Sequence, residues 1–129
     1  MSESGLLDTS VFIAQEQGRS VRALPEDGAV SVVTLAELQL GVLAAPDDDA
    51  RAARLQTVSR LEHEFEPLGI DSEIARTFAA LVHAARRSGR QPKAMGAWIA
   101  ATAVTLGLPL YTQDRDFRAF GDRLRVVEV

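Results

Sequence analysis

Short apolar, β-branched runs alternate along this chain with longer segments whose apolar residues recur at helical spacing. The short runs predict strands ending at Leu7 and lying at 28–33, 108–112 and 124–127, with a short strand or connector at 67–70. The longer segments predict helices at 11–17, 35–45, 47–65, 71–87 and 94–106. Because strands alternate with helices, the pattern indicates an α/β fold with a mainly parallel central sheet.

Capping residues predict where several helices begin and end. Thr34 with Glu37 three residues later has the spacing of a capping box, so we expect Thr34 to cap the second helix, which stops before Pro46. The three acids at 47–49 predict a helix start rather than a metal site, because acids favour the first helical turn. Asp71 is expected to cap the fourth helix, and Gly107 to end the fifth.

Length and composition predict one soluble globular domain over residues 1–129, with 47% hydrophobic and 25% charged residues. Apolar runs are too short to cross a membrane, and the acidic start Met-Ser-Glu-Ser-Gly is unlike a secretory signal. The absence of cysteine suits a reducing compartment, so we expect a cytoplasmic protein with no membrane partner. A net charge of −4 argues against broad non-specific binding of nucleic acid, but not against a local site.

Acidic residues follow three of the predicted strands. Asp8 follows the first, Glu37 lies early in the helix after the second, and Asp114 and Asp116 follow the late strand. Since ligands bind at the carboxyl ends of the strands in open α/β sheets, we expect these acids to share one site. Neighbouring carboxylates repel one another unless a cation neutralises them, and Mg²⁺ or Mn²⁺ suits an all-oxygen cluster. The plainer alternative is that Thr9 or Ser10 caps the first helix and Asp8 is a solvated turn acid.

Histidines and basic residues have two interpretations each. His63 and His83 lie inside helical segments and are interpreted as ordinary helix residues rather than metal ligands. A basic group near the end of the fourth helix either interacts with the helix dipole or forms a rim that positions RNA phosphates. Its members are Arg86, Arg87, Arg90 and Lys93.

Four motifs, in order along nearly the whole chain, resemble those of PIN-domain ribonucleases, and more narrowly the VapC-type toxins of bacterial toxin–antitoxin pairs. They are LLDTSVFI at 6–13, VTLAEL at 33–38, AWIAATA at 97–103 and YTQDRDF at 111–117. The resemblance implies a three-layer α/β/α fold and an endoribonuclease that uses Mg²⁺ or Mn²⁺ to cleave tRNA, rRNA or mRNA. It also implies a homodimer that a cognate VapB-type antitoxin holds inactive.

The same resemblance assigns roles to individual residues. It implies that Asp8, Glu37 and Asp114 are catalytic metal-site acids and that Asp116 is an accessory one. It also implies hydroxyl support from three residues, namely Thr9, Ser10 and Thr112. Where the family normally has an aspartate, this chain has Gly96. We therefore expect the activity of this chain to be reduced or absent, although a small-residue face formed by Gly96, Ala100 and Ala103 for close helix packing is an alternative.

Two other functions fit parts of the sequence. A phosphatase or phosphoacceptor domain also has an aspartate after its first strand, but it needs a second acid beside it, which residues 9–11 do not supply. A phosphoacceptor would also have a lysine where this chain has Gln113. The other alternative is a catalytically inactive PIN domain that binds an antitoxin or RNA. Cleavage of a panel of RNAs would distinguish this binding module from the nuclease.

Overall fold

The computed structural model describes residues 3–129, in which helices cover both faces of a parallel sheet. The strands are β1 (Ser4–Leu7), β2 (Asp27–Ala29), β3 (Leu110–Thr112) and β4 (Val126–Glu128). The helices are α1 (Thr9–Glu16), α2 (Val32–Leu43), α3 (Asp48–Glu64), α4 (Ser72–Arg87) and α5 (Ala94–Leu106). A 3₁₀ segment, Arg115–Arg123, connects β3 to β4.

The sheet has the order β2-β1-β3-β4, and every neighbouring pair of strands is parallel. In the register, Leu6 of β1 lies opposite Ala29 on one side and Leu110 on the other. Because β1 and β3 are neighbours and run the same way, the residues that follow them emerge side by side. The Asp8 amide donates to the Tyr111 carbonyl at 2.9 Å, which extends this pairing to the start of α1.

Two apolar cores lie on opposite faces of the sheet. Leu6 and Leu110 pack with residues of α4, α5 and the 3₁₀ segment, whereas Leu7 and Tyr111 pack with residues of α1, α2 and α3. Successive strand residues point to opposite faces, which explains why neighbours in sequence join different cores. The predicted three-layer α/β/α fold with a parallel sheet is confirmed.

The predicted start of the second helix was wrong. The predicted strand 28–33 is only Asp27–Ala29, and α2 begins at Val32, before the predicted Leu35. Ser31 caps the helix, since its hydroxyl accepts from the Val33 amide at 3.0 Å. Thr34 is therefore not the cap but a fully buried residue inside the helix. The β-branched run 30–33 suggested a strand, and the cap and core packing of Val33 override that local preference.

The other boundaries agree more closely with the sequence. Asp47 and Asp71 cap α3 and α4 by accepting backbone hydrogen bonds, as predicted, and Gly107 ends α5 with a left-handed φ of 67°. Residues 67–70 form a connector with one bridge, between Leu68 and Ser31. The 3₁₀ segment was not predicted, because its apolar residues at 117 and 120 are too few to show a periodic pattern. Within residues 3–129, no helix is long and apolar enough to cross a membrane.

Candidate functional site

A half-open cavity of about 540 Å³ lies at the carboxyl ends of β1 and β3. The four acids predicted from the sequence all line it, and they come from three separate parts of the chain. The acids are Asp8 before α1, Glu37 on α2, Asp114 after β3 and Asp116 in the 3₁₀ segment. Gly96 of α5 also lines the cavity. The sheet therefore brings together the positions that the sequence placed in one site.

Asp8 is almost fully buried at the end of β1, with 4% of its surface exposed. Its Oδ2 atom accepts hydrogen bonds from the Ser10 hydroxyl at 2.6 Å and the Thr112 hydroxyl at 2.8 Å. Burial raises the pKa of Asp8 above its usual value, and the hydrogen bonds from Ser10 and Thr112 oppose that shift. The Ser10 amide also donates to Oδ2, at 3.3 Å, so three hydrogen bonds hold this one carboxyl oxygen.

Ser10 and Thr112 take part in further hydrogen bonds besides those to the Asp8 carboxyl. Their hydroxyls lie 3.1 Å apart, the Gln113 amide donates to the Ser10 hydroxyl at 2.9 Å, and the Asp114 amide donates to the Thr112 hydroxyl at 2.9 Å. Asp8 itself caps α1 by accepting from the Ser10 amide. The sequence alternative in which Thr9 or Ser10 is the cap is therefore wrong. The capping residue is the predicted site acid.

Glu37 is half-buried on the second turn of α2, facing Asp8 across the cavity. Its Oε1 atom accepts a hydrogen bond of 2.7 Å from the Thr9 hydroxyl. Burial raises the pKa of Glu37, and the negative charges of Asp8 and Asp114 raise it further, while the Thr9 hydrogen bond and Lys93 act in the opposite direction. A buried acid and a half-buried acid, both with raised pKa values, share this cavity, and a bound cation would offset the cost of their negative charges.

Gly96 has room for a side chain at the wall of this cavity. A Cβ atom built on Gly96 would have as its nearest neighbours the ring atoms of Phe117 at 3.7 and 3.8 Å, which is ordinary van der Waals contact. Gly96 lies in the first turn of α5, a helix whose N-cap, Lys93, makes no side-chain cap hydrogen bond and whose first turn has no acid. Ala100 and Ala103 are fully buried, whereas Gly96 is partly exposed and borders the cavity.

The oxygen atoms of the cavity are of the type that binds a hard divalent cation, but the closely grouped metal ligands are too few. The cavity offers carboxylate and hydroxyl oxygens, which Mg²⁺ and Mn²⁺ prefer. Yet within residues 3–129, no three acidic or histidine side chains are grouped closely enough to hold a metal ion together. His63 and His83 are exposed on α3 and α4 and do not line the cavity. Gly96 also lines the cavity, at a position that can carry a Cβ in ordinary contact with Phe117.

The basic residues predicted from the sequence divide into two groups. Arg90 and Lys93 line the cavity, whereas Arg86 and Arg87 are exposed at the end of α4 and do not line it. Lys93 approaches Asp116 with a distance of 4.0 Å between Nζ and Oδ2, in an exposed ion pair.

Two residues of the site were missed by the sequence reasoning. Arg115 lines the cavity on the 3₁₀ side, and no signal for that segment was available. Thr34 was noticed, but as a cap; its buried hydroxyl lies 3.0 Å from the Thr9 hydroxyl instead. The VTLAEL motif includes Thr34, but helical periodicity could not show which side chain the Thr34 hydroxyl contacts.

The PIN domain family matches residues 5–122 of this chain, a span that includes all four cavity acids. The chain belongs to the PIN domain family. Its relatives within the family include two VapC proteins of Mycobacterium tuberculosis. Ribonuclease VapC5 is 48% identical over 119 residues, covering 90% of this chain and 87% of that protein. Ribonuclease VapC4 is 45% identical over 119 residues, covering 91% of each.

Solved structures show the same PIN-family architecture. The crystal structure of VapBC-5 from Mycobacterium tuberculosis, a member of the VapBC family of toxin–antitoxin systems, matches with a TM-score of 0.85 and 43% identity. The match covers 98% of this chain and 97% of that one. FitAcB from Neisseria gonorrhoeae matches with a TM-score of 0.70 and 28% identity over 94% of each chain. The expected PIN-domain, VapC-type membership is confirmed.

Proposed function

We propose that this PIN-domain chain is a VapC-type toxin whose acidic cavity is an endoribonuclease site dependent on Mg²⁺ or Mn²⁺, and that Gly96 reduces or abolishes its activity. The observation that carries the proposal is the meeting of four acids from three separate segments in one cavity, with the pKa values of Asp8 and Glu37 raised. The names of the VapC relatives, which are ribonucleases, support the choice of RNA as substrate.

Three acids are proposed to hold the cation, namely Asp8, Glu37 and Asp114, with Asp116 as an accessory. The chemistry that such a cation supplies is the ionisation of water near neutral pH and the stabilisation of charge on a phosphate. Ser10 and Thr112 hold Asp8 Oδ2, and Thr9 holds Glu37 Oε1, so hydroxyl groups fix the position of each carboxylate. These hydroxyls also limit how far each acid can move when a phosphate approaches.

RNA is proposed to reach the cavity along its basic rim. Arg90, Lys93 and Arg115 line the cavity and are exposed, so they can contact phosphates on either side of the acids. Arg86 and Arg87 lie outside this lining, and we keep for them a supporting role in attracting RNA by charge. The substrate is proposed to be a cellular RNA of the tRNA, rRNA or mRNA class.

Gly96→Asp tests the proposed site directly. Because a Cβ fits at position 96 and the first turn of α5 favours an acid, the substitution should restore the carboxylate without disturbing the fold. We expect the parent chain to cleave a panel of RNAs weakly or not at all in Mg²⁺, with a trace in Mn²⁺. Restoring a ligand or its supporting partner should raise Mn²⁺ affinity and cleavage by about 10–100-fold.

Two further variants make this test specific. Gly96→Asn has nearly the same shape without the charge and should not restore cleavage, and adding Asp8→Asn to Gly96→Asp should abolish it again. Equal cleavage by the parent and Gly96→Asp at saturating metal would show that position 96 is not part of the site.

The second candidate function is an inactive PIN domain that binds an antitoxin or RNA. The observation that favours it is the shortage of grouped metal ligands within the described residues. If Gly96→Asp binds Mn²⁺ but neither protein cleaves RNA, while both bind it, this alternative replaces the nuclease.

A VapB-type antitoxin is the proposed partner, because structures similar to this chain come from VapBC complexes, including VapBC-5. We also propose a homodimer in a cytoplasmic setting. The exposed leucines on α2 and α3 offer apolar surface for the antitoxin contact or the dimer contact. They are Leu40, Leu43 and Leu55.

A further inference from the structure

Thr34 lies inside a helix, but its recorded hydroxyl contact is with another side chain, unlike the threonines that donate to the backbone of their own helix. The hydroxyls of Thr77 and Thr102 each donate to the carbonyl four residues earlier, at 3.2 and 2.9 Å. For Thr34 the corresponding carbonyl is that of Val30, which instead accepts from the Leu68 amide at 2.8 Å. The Thr34 hydroxyl is fully buried and lies 3.0 Å from the Thr9 hydroxyl.

The Thr9 hydroxyl stands between Thr34 and Glu37. It lies 2.7 Å from Glu37 Oε1 and 3.0 Å from Thr34 Oγ1. A hydroxyl carries one proton, and an ionised carboxylate can only accept. The Thr9 hydroxyl is the donor toward both side chains, so its one proton is shared between Thr34 Oγ1 and Glu37 Oε1. Both contacts require the same Thr9 rotamer, which places the hydroxyl between Thr34 and Glu37.

We propose that Thr34 is a positioning residue, which fixes the Thr9 hydroxyl and, through it, aims the Glu37 carboxylate into the cavity. Glu37 has a long side chain that is half-buried, and its recorded hydrogen bond is the one from Thr9. Thr9 is only 6% exposed, so water cannot easily replace a hydrogen bond that the Thr9 hydroxyl loses when its rotamer changes. The link from orientation to metal affinity rests on the proposed function.

The effect of Thr34 on Thr9 can be measured without any metal. In Thr34→Val, which keeps the shape but removes the hydroxyl, three-bond NMR couplings to the Thr9 methyl carbon should change from those of one χ1 rotamer to averaged values. Thr34→Ser keeps the hydroxyl and should restore the parent couplings. If Thr34→Val does not fold, Thr34→Ala removes the same hydroxyl without adding bulk.

The effect on Glu37 is measured by Mn²⁺ affinity, using electron paramagnetic resonance of the free ion. We expect a loss of about 10-fold in Thr34→Val, typical of removing a supporting partner, and recovery in Thr34→Ser. Thr57→Val is the matched control, because Thr57 is another buried threonine that donates to a glutamate, Glu16, at 2.7 Å, but outside the cavity. It should leave both the Thr9 couplings and the Mn²⁺ affinity unchanged.

The Thr9 couplings and the Mn²⁺ affinities test separate steps of the proposal. Unchanged Thr9 couplings in Thr34→Val would overturn the proposal, and so would altered couplings with unchanged Mn²⁺ affinity. An equal loss of affinity in Thr57→Val would overturn it too, because the effect would then reflect general stability. If the parent binds no Mn²⁺, the metal dependence in the proposed function fails, while the Thr9 couplings still decide whether Thr34 controls Thr9.

Discussion

Asp8 joins two roles at the scale of a single residue, since it caps α1 and lines the acidic cavity. Its burial raises its pKa, which means that its charged form is less stable in the folded protein than in the unfolded chain. Between the usual value of 3.8 and the raised pKa, the folded state binds more protons than the unfolded state, so stability falls as pH rises through this window. At neutral pH the full cost is present.

Asp8→Asn should therefore raise the free energy of unfolding at pH 7, and the gain should shrink as the pH falls toward 3.8. Asparagine remains a good helix cap and can accept the hydrogen bonds from Ser10 and Thr112, so the change isolates the charge. Urea unfolding at several pH values measures the gain. Asp71→Asn is the matched control, because Asp71 is an exposed cap acid on α4. A gain for Asp8→Asn that is constant with pH would contradict the prediction.

At the scale of elements, a partly buried ion pair between Glu16 and Arg54 connects α1 to α3. Arg54 donates to both carboxyl oxygens of Glu16, at 2.8 and 3.3 Å, and Thr57 donates to Glu16 Oε1. The hydrogen bonds from Arg54 and Thr57 lower the pKa of Glu16 against the opposing effect of burial. Gly41 of α2 lies directly against the Arg54 guanidinium, so that a Cβ at this position would overlap Nη1. The position of the Arg54 guanidinium against α2 therefore depends on a glycine.

Gly41→Ala should destabilise the protein by about 1–3 kcal/mol, because it displaces Arg54 from Glu16. Alanine is otherwise better than glycine inside a helix by about 1 kcal/mol. In an Arg54→Ala background, where the overlap is absent, the same substitution should thus become neutral or stabilising. A double-mutant cycle from urea unfolding measures this coupling. Additive effects of the two substitutions would show that the contact does not constrain α2.

At the scale of the whole molecule, three exposed leucines remain on α2 and α3 after the two cores are formed. Leu40, Leu43 and Leu55 are 56%, 73% and 46% exposed. Exposed apolar surface of this kind typically marks a contact with another protein.

We expect the isolated chain to be a homodimer by light scattering at micromolar concentration, and the double substitution Leu40→Glu with Leu43→Glu to yield a monomer. Placing charges in an apolar interface leaves them buried without partners, which disfavours association. Leu106→Glu, at a leucine on α5 that is 46% exposed, is the control and should remain dimeric. A monomeric parent would contradict the prediction, and a dimeric double variant would place the interface elsewhere.

Much of this protein could be predicted from local sequence patterns. Alternation of β-branched runs with helical periodicity was enough for the α/β class and the parallel sheet, because both patterns reflect which face of an element is buried. The rule that ligands bind at the carboxyl ends of strands was enough to place four acids in one site. Asp47 and Asp71 predicted the starts of two helices and Gly107 predicted the end of a third, because capping depends on residues within one turn of the helix terminus.

Only the tertiary structure decided contacts between distant segments. Thr34 had the local signature of a cap, but Ser31 occupies that place, and the Thr34 hydroxyl meets Thr9, which is 25 residues away in the sequence. In the same way, Arg115 and Gly96 acquire their places at the cavity from the packing of α5 and the 3₁₀ segment. Sequence patterns record burial and local hydrogen bonding, whereas the partner of a buried hydroxyl or the space beside a glycine depends on how whole elements pack together.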